Sequence, residues 1–549
     1  MSLSVSTDLI KQSSHVELAS YRESVGRVGR DRELAVDIPS LGDDALRDLM
    51  AASKAVEDAK TTRAIEAILN ARGGDFKKPI PSFKAFDGVL TAFFRHELID
   101  GWLYVVGSDG QLYPELITGI KFDDGRNYRG GEGTPSVTIN TAYYSRAADS
   151  RSEKVTLCVN RGSHTFQPQD VARRRIADIL EASGIYKETA SLRAEYESAM
   201  QRHREVTLSA FAQQFRATGA VNFYEEEDYR RRGVEVANRR VIHDLTPSNY
   251  GAFSNHVESK LLDKGGEDSG VGAVPEHPLI RVFDLKTHEF YWVHSAVLTP
   301  YKYDRSLRDK LILPPSHRDL LDVLTTDLGA FVEDIIEGKS AGNVILCKGI
   351  PGVGKTLTAE VYAELIERPL YSIHSGSLGT TAEQIELSLR MVFQRAKRWD
   401  CVLLLDEADV FVVQRGDSIE QNAIVAEFLR TLEYFDGLLF MTTNRPQDID
   451  EAIVSRCAAI ISYVPPSGKD AHAIWRVMAD QYKAELGDEL IDGLLELFPT
   501  IAPRDIKMLL RLALRVAKAR NEALTLDTFR RCAMFRAIEM MADESTAGH

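Results

Sequence analysis

The sequence predicts an α/β protein that ends in a helical domain, and three patterns support this prediction. From Leu311 onward, short apolar runs alternate with helical stretches of about 12 to 17 residues, which is typical of a parallel sheet buried on both faces. The tail from residue 468 to residue 543 has helical periodicity throughout. Residues 80–165 contain short apolar runs with a period near two, so we expect a mixed α/β region before the parallel sheet.

In the N-terminal part, we expect a few helices and several short strands. The first 78 residues contain one helical pattern among polar connectors, which indicates an arm or a loosely attached element. A hairpin is predicted around Ser108, Asp109 and Gly110, because turn-forming residues there separate two apolar runs. Further strands are expected in SVTINTAYY and KVTLCVN.

The segments that follow are predicted to contain a long helical stretch and a second hairpin. Residues 168–218 are rich in helix formers, with Gly184 as a break, and their apolar positions hold no heptad for long. Packing within the same domain is therefore favoured over a coiled-coil stalk. Residues 261–278 have the Gly, Asp and Pro content of a loop. The second hairpin is expected after this loop, with its turn at residues 286–288.

In the C-terminal part, strands and helices alternate regularly. The strands are expected in NVILCK, LYSI, CVLLL, LLFM and AIISYV, and the helices in TLTAEVYAELIE, AEQIELSLRMVFQRAKR and NAIVAEFLRTLEYF. This order predicts right-handed crossovers between parallel strands.

Composition and charge exclude several classes of protein. The 549 residues are too many for one hydrophobic core, and the five cysteines have no paired or metal-ligand spacing. The start has no basic segment before an apolar core, and no apolar run approaches about 18 residues, so we expect a cytoplasmic protein without a membrane span. The 81 acidic residues outnumber the 67 basic residues, which argues against wholesale binding to a nucleic-acid backbone.

A glycine-rich loop directly follows the strand NVILCK. Residues 349–356 match the pattern G-x-x-x-x-G-K-[ST] between a strand and a helix, where backbone N–H groups can bind phosphate oxygens. Lys355 is expected to reach the β- and γ-phosphates of ATP, and Thr356 to bind Mg²⁺ through its hydroxyl oxygen. The alternative is a glycine-rich turn that binds nothing. The predicted nucleotide-binding residues here are Gly349, Ile350, Pro351, Gly352, Val353, Gly354, Lys355, Thr356 and Leu357.

Two acidic residues follow the apolar run CVLLL. Asp406 is expected at the carboxyl end of a strand adjacent to the strand of the glycine-rich loop, where it can hold the Mg²⁺ shell. Glu407 would then project towards the γ-phosphate, where a carboxylate can orient and deprotonate the attacking water. This pair predicts hydrolysis rather than binding alone. The alternative is a solvated glutamate at the end of a strand.

A third strand end carries Asn444, whose amide can hydrogen-bond the γ-phosphate or the water, although Asn before a turn is common. In this order and spacing, the motifs resemble the AAA ATPases of the AAA+ superfamily over residues 311–542. The resemblance implies a P-loop ATPase core with a parallel sheet and a C-terminal helical lid. It also implies that residues 349–356 are the Walker A loop, residues 402–407 are Walker B, and Asn444 is the sensor-1 residue. The sequence is most similar to poorly characterised fungal and bacterial members with a large N-terminal region.

The resemblance also implies roles for two arginines. Residues 450–457 look like a shortened second homology region, in which Arg456 stands at the position of an arginine finger that acts on a neighbouring subunit. The alternative is a surface charge. Arg504 begins a helix similar to the sensor-2 helix of the lid and is a candidate γ-phosphate contact. Here the alternative is pairing of Arg504 with Asp505.

One loop departs from the pattern of the family members that thread a polypeptide. Those members carry an aromatic residue on the loop after the second strand, whereas residues 374–380 here read His-Ser-Gly-Ser-Leu-Gly-Thr. The missing aromatic residue puts processive threading in doubt, while remodelling through the N-terminal region stays open.

The predicted function is that of a ring-forming, hexameric, Mg²⁺-dependent ATPase. It would couple ATP hydrolysis to remodelling, unfolding or disassembly of a protein substrate, which the N-terminal region binds directly or through an adaptor. Two alternatives stay open: a nucleic-acid motor or clamp-loader-like ATPase, and a nucleotide-gated oligomeric scaffold. The predicted parts are an N-terminal arm (1–78), a mixed α/β recognition region (79–308), an α/β ATPase subdomain (309–466) and a helical lid (467–549).

Overall fold

The computed structural model describes residues 2–25, 33–125, 133–148, 155–209, 211–224, 231–245, 273–326, 343–416, 418–536 and 538. Within these residues the chain forms one two-stranded sheet, two antiparallel five-stranded sheets and one parallel five-stranded sheet. No helix in this part of the chain has the length and apolar character needed to cross a membrane.

The first segment packs onto the region that follows it. Its elements are β1 (Ser2–Ser6), α1 (Thr7–Gln12), α2 (Ala19–Val25), β2 (Glu33–Asp37), α3 (Asp43–Ala55), α4 (Ala59–Arg72) and α5 (Phe83–Arg95). Strands β1 and β2 pair antiparallel, and Leu3 and Val5 of β1 are buried in one cluster with Phe86 and Leu90 of α5. The described residues of the predicted arm (1–78) are thus part of a packed core, because their apolar side chains cover neighbouring helices.

The first antiparallel five-stranded sheet has the strand order β6-β5-β4-β3-β7. It confirms the predicted hairpin at residues 108–110 and both strands after it. The helical prediction for residues 168–218 is partly wrong. Residues 185–187 form an edge strand on β3, and a strand of the next sheet begins at Gln214, because tertiary pairing overrides local helix propensity there. The elements are β3 (Trp102–Val106), β4 (Leu112–Asp123), β5 (Ser136–Ala148), β6 (Val155–Phe166), α6 (Pro168–Val171), α7 (Ile176–Ala182), β7 (Ile185–Lys187) and α8 (Ala190–Ser209).

The second antiparallel five-stranded sheet joins the N-terminal region to the parallel sheet. Its β10–β11 hairpin confirms the predicted turn at residues 286–288, whereas residues 261–272 of the predicted loop lie outside the described residues. Phe283 of this sheet packs against Trp399 and Tyr371 of the parallel-sheet region. The centroid of its ring lies 4.7 Å from that of Trp399 and 5.4 Å from that of Tyr371. The elements are β8 (Gln214–Tyr224), β9 (Arg231–His243), β10 (Leu279–Asp284), β11 (Phe290–His294), β12 (Leu298–Pro300), α9 (Leu307–Lys310) and α10 (Pro315–Thr326).

The parallel sheet has the order β14-β15-β16-β13-β17, and it confirms the predicted alternation of strands and helices. Successive residues of β13 point to opposite faces: Leu346 packs in one apolar cluster and Ile345 in the other. Both faces are therefore buried. The elements are β13 (Asn343–Gly349), α11 (Lys355–Leu365), β14 (Leu370–His374), α12 (Ala382–Arg398), β15 (Val402–Asp406), α13 (Asp409–Val412), α14 (Ile419–Leu432), β16 (Leu438–Thr443), α15 (Glu451–Val454) and β17 (Ala459–Tyr463).

The strand order corrects one expectation. Strand β15, which ends in Asp406, is not adjacent to β13, because β16 lies between them and pairs with both. The strand that ends beside Asn444 is therefore the neighbour of both the glycine-rich loop and Asp406.

Residues 468–536 of the C-terminal part form a layer of four helices, as the tail periodicity predicts. Trp475 is fully buried at its centre, and its ring meets Phe529 edge to face at 5.8 Å. The helices are α16 (Gly468–Tyr482), α17 (Asp488–Leu497), α18 (Pro503–Arg520) and α19 (Leu526–Met534).

Candidate functional site

The glycine-rich loop connects β13 to α11, and two of its glycines are required by space and backbone conformation. Gly349 has φ 154°, and a Cβ atom there would lie 2.4 Å from the carbonyl oxygen of Tyr463. Gly352 has φ 84°, and its Cβ would lie 2.8 Å from the Cβ of Arg504. A side chain at either position would push the loop away from β17 or from the lid.

Lys355 is the first residue of α11 and closes the loop. Its Nζ donates to the carbonyl oxygens of Gly349 (2.8 Å) and Ile350 (2.7 Å) and to Oδ1 of Asn444 (2.9 Å). The residue is only 6% exposed. Burial lowers the pKa of its ammonium below the ordinary value, and the nearby carboxylate of Asp406 opposes this shift.

Asp406 ends β15 and accepts two hydroxyl hydrogen bonds on a single oxygen. Its Oδ1 is 2.9 Å from Oγ1 of Thr356 and 2.5 Å from Oγ1 of Thr442. The Thr356 bond joins the start of α11 to the end of β15 across the intervening strand. The two predicted Mg²⁺ ligands, Thr356 and Asp406, are therefore in direct contact.

Glu407 follows Asp406 in a left-handed backbone conformation, with φ 53°. Its backbone N–H donates to Oγ1 of Thr442 at 3.0 Å. A non-glycine residue with positive φ is uncommon and costs about 1–3 kcal/mol, so such residues concentrate at functional sites.

Hydrogen bonds to the side chain and to the backbone of Asn444 fix its orientation. Its side-chain oxygen accepts from Lys355, and its backbone N–H donates to Oδ1 of Asp409 at 3.0 Å. The same Asp409 oxygen accepts from Oγ1 of Thr443. No role was predicted for Asp409 from the sequence.

These side chains surround one cleft of about 450 Å³ between the parallel sheet and the lid. Three predicted site residues do not line this cleft. Gly349 and Ile350 bind Lys355 through their carbonyl oxygens, and Val353 is 8% exposed and packs into the apolar core. The predicted site residues that line the cleft are Pro351, Gly352, Gly354, Lys355, Thr356, Leu357, Asp406, Glu407, Asn444 and Arg504.

Arg504 reaches the cleft from the lid. Its backbone N–H donates to the carbonyl oxygen of Gly352 at 3.1 Å, which places the start of α18 directly on the loop. Asp505 does not pair with Arg504, because Nη2 of Arg536 donates to Asp505 Oδ1 at 3.1 Å. The side chain of Arg504 is exposed.

Arg456 lies apart from the cleft of its own chain. Its Nη2 pairs with Glu433 at the end of α14, and its Nη1 donates to the carbonyl oxygen of Ala452 at 3.0 Å. Within a single chain, Arg456 therefore contacts none of the other predicted site residues.

An apolar pocket of about 150 Å³ adjoins the cleft, and the sequence reasoning did not identify it. It shares the lining residues Gly354, Leu357, Met478 and Pro503 with the cleft, so the two cavities are adjacent. A flat aromatic base fits this kind of apolar surface. The only local signal is the apolar run around Leu311, which becomes a pocket wall through tertiary packing. Its other apolar lining residues include Leu313, Val353, Tyr463, Pro465 and Ile474.

Comparison with known proteins places part of this chain in a family. Residues 345–464 match the family described as "ATPase family associated with various cellular activities (AAA)". An uncharacterised AAA family ATPase of Sinorhizobium fredii is 32% identical over 155 residues, and the match covers 26% of this chain and 44% of that protein. An uncharacterised AAA domain-containing protein of Schizosaccharomyces pombe is 32% identical over 180 residues, and the match covers 30% of this chain and 23% of that protein.

Among solved structures, the FIGL-1 AAA domain in complex with ADP is 21% identical, with a TM-score of 0.35, and the match covers 43% of this chain and 85% of that one. The chain spans less than half of the length of the two curated relatives above. The family match begins within β13 and includes the glycine-rich loop, Asp406, Glu407 and Asn444. Residues 345–464 therefore belong to the AAA family and form a nucleotide-binding ATPase domain.

Proposed function

We propose that the chain is a Mg²⁺-dependent ATP hydrolase that assembles into a ring, with a hexamer as the expected size. It acts in the cytoplasm to remodel, unfold or disassemble a protein substrate. One observation carries the hydrolase part of this proposal: Lys355 and the adjacent pair Asp406 and Glu407, which lies in a distant segment, line a single cleft.

ATP is proposed to lie across the cleft and the adjoining apolar pocket. The triphosphate follows residues 349–356, where backbone N–H groups and the start of α11 favour negative charge. Lys355 adds a buried cation beside the β- and γ-phosphates. The base occupies the apolar pocket next to Leu357 and Met478.

Thr356 and Asp406 are proposed to hold Mg²⁺. Their hydroxyl and carboxylate oxygens are 2.9 Å apart and face the cleft, and oxygen is the ligand that Mg²⁺ prefers. Bound there, Mg²⁺ would neutralise charge on the β- and γ-phosphate oxygens.

Hydrolysis is proposed to depend on Glu407 and Asn444. Glu407 accepts a proton from the water that attacks the γ-phosphorus, and the bond from that phosphorus to the β–γ bridging oxygen breaks. Asn444 is held between Lys355 and Asp409, so its amide can orient the γ-phosphate or the water. Arg504 contributes a positive charge from the lid.

Arg456 is proposed to complete the site of a neighbouring subunit. Its guanidinium contacts Glu433 rather than the cleft of its own chain, and an arginine supplied in trans can stabilise the charge of the transition state. Hydrolysis then requires an assembled ring.

A mixing experiment tests this role. We expect the Arg456→Ala and Lys355→Ala variants to be inactive alone and to recover part of the ATPase activity when mixed. In rings mixed randomly from equal amounts of the two variants, about one quarter of the interfaces would join an intact glycine-rich loop to an intact Arg456. A mixture of Lys355→Ala with Glu407→Gln is the matched control, because both changes damage the same cleft. No recovery at any ratio would contradict action in trans.

Motion of the ATPase core is proposed to reach the N-terminal region through α11. This helix begins at the glycine-rich loop and carries Glu364 near its end. The Glu364 carboxylate accepts from Oη of Tyr301 (2.6 Å), from the backbone N–H of Asp304 (3.0 Å) and from Nη1 of Arg240 (3.1 Å). A shift of α11 therefore acts directly on β9 of the second antiparallel sheet and on the segment that follows β12.

A protein is favoured as the substrate because the chain has a net charge of −14 and a large N-terminal region. One observation favours the nucleic-acid alternative. Arg511, Arg515 and Lys518 are exposed along one face of α18, and none has an ion pair with another residue in the described part of the chain.

The substrate class can be decided by the response of the ATPase rate. We expect a chemically unfolded protein to stimulate ATP hydrolysis and single-stranded DNA to leave it unchanged at moderate salt. Stimulation by DNA alone, lost in Arg511→Glu/Arg515→Glu, would instead support the nucleic-acid motor. Phosphate release is measured with each additive and with neither.

A further inference from the structure

Thr442 occupies a position between the two functional halves of the cleft. It lies near the end of β16, the strand that separates the glycine-rich loop from Asp406. Its side chain is 2% exposed and lines the cleft. No role was predicted for this residue from the sequence.

The hydroxyl of Thr442 connects the residue proposed to hold Mg²⁺ with the residue proposed to activate water. It lies 2.5 Å from Oδ1 of Asp406 and 3.0 Å from the backbone nitrogen of Glu407. A carboxylate can only accept and an N–H can only donate, so the hydroxyl must donate to Asp406 and accept from Glu407. Both of its hydrogen-bonding roles are thereby used.

The backbone after Asp406 depends on the same residue. Glu407 has φ 53°, and the backbone N–H of Ala408 donates to the carbonyl oxygen of Thr442 at 2.8 Å. Two successive N–H groups of the turn therefore bind Thr442. An unfavourable backbone conformation persists only when its surroundings hold it in place.

We propose that Thr442 is a positioning residue that sets Asp406 and Glu407 relative to each other through its hydroxyl. The inference rests on the proposed function, since it assigns Mg²⁺ binding to Asp406 and water activation to Glu407. Without the hydroxyl, Asp406 keeps only the hydrogen bond from Thr356, and the Glu407 N–H loses its partner. Both Mg²⁺ binding and turnover are then impaired, while the contacts of the glycine-rich loop stay intact.

Three substitutions separate the hydroxyl from the shape of the side chain. Thr442→Val preserves the volume and removes the hydroxyl, Thr442→Ser preserves the hydroxyl, and Thr442→Ala removes both. For Thr442→Val we expect kcat to fall about tenfold or more, because hydrogen bonds to charged groups are among the stronger ones. The KM for ATP, measured with Mg²⁺ present, should rise several-fold, because weaker metal binding lowers the affinity for the Mg²⁺–nucleotide complex. Thr442→Ser should recover most of the kcat.

Nucleotide binding gives a readout that does not depend on turnover. Titration of a fluorescent ATP analogue with and without Mg²⁺ should show unchanged affinity without the metal in Thr442→Val. The increase in affinity on adding Mg²⁺ should be reduced several-fold. Thr325→Val is the matched control, because Thr325 is also buried and its hydroxyl donates to the carbonyl oxygen of Leu321 within α10.

Each outcome decides the inference. Wild-type kcat and a wild-type response to Mg²⁺ in Thr442→Val would overturn it. A Thr442→Ser variant as impaired as Thr442→Val would also overturn it, because the effect would then come from packing of the methyl group. If the unmodified chain hydrolyses no ATP, the proposed function fails, and the Mg²⁺ titration alone decides the role of Thr442.

Discussion

Glu407→Gln should bind ATP and hydrolyse it about 10²- to 10⁴-fold more slowly than the unmodified chain, which is the usual contribution of a general base. The substitution keeps the size of the side chain and removes the group that accepts the proton from water. Binding should persist because Lys355, Thr356 and the loop backbone are unchanged, and none of the hydrogen bonds described here uses the Glu407 carboxylate.

The measurement pairs phosphate release with ATP binding on the same preparation. Glu489→Gln is the matched control, because Glu489 is exposed on α17, away from the cleft, and should leave both quantities unchanged. Hydrolysis at the wild-type rate by Glu407→Gln would contradict the proposed function. Loss of ATP binding would show that Glu407 instead supports the structure of the loop.

Asp244→Ala should lower the free energy of unfolding by about 3–5 kcal/mol, because it removes one partner of a buried ion pair. The Asp244 side chain is 3% exposed and that of Arg281 is 6% exposed, with Arg281 Nη1 2.9 Å from Asp244 Oδ2. Nε1 of Trp399 also donates to Asp244 Oδ1 at 2.8 Å. Arg398 contacts the same carboxylate but is partly exposed, so solvent screens its contribution.

Urea unfolding followed by circular dichroism measures this loss. Asp178→Ala is the control, because Asp178 pairs with Arg175 on the surface and exposed ion pairs contribute little to stability. Equal stability of the two variants would contradict the prediction. Since Asp244 follows β9 and Trp399 follows α12, Asp244→Ala should also loosen the contact between the N-terminal region and the ATPase core.

The ATPase half of the chain could be predicted in detail because its signals are local. The glycine-rich loop is contiguous and stands between a strand and a helix, and Asp406 and Glu407 directly follow a strand. The apolar runs of a sheet buried on both faces are long enough to be recognised without knowledge of their neighbours. The antiparallel hairpins at residues 108–110 and 286–288 were also predictable from local signals, because turn residues there separate two apolar runs.

The N-terminal region was less predictable. Residues 185–187 form an edge strand only because β3 offers a free edge, and nothing in their own sequence separates them from the helices on either side. Apolar residues of the first 78 positions are spaced too irregularly to indicate a core, yet they pack together once β1, α1 and α5 come into contact.

The sequence by itself determined the candidate chemistry of this protein: the glycine-rich loop, the two carboxylates proposed to hold Mg²⁺ and to activate water, and the polar residue after a third strand. The tertiary structure decided which of these groups touch. It placed β16 between β13 and β15, brought Thr442 onto Asp406 and Glu407, paired Asp505 with Arg536 and built the apolar pocket beside the cleft. The physical reason is that strand order and packing join residues distant in sequence, and such contacts leave no local pattern to read.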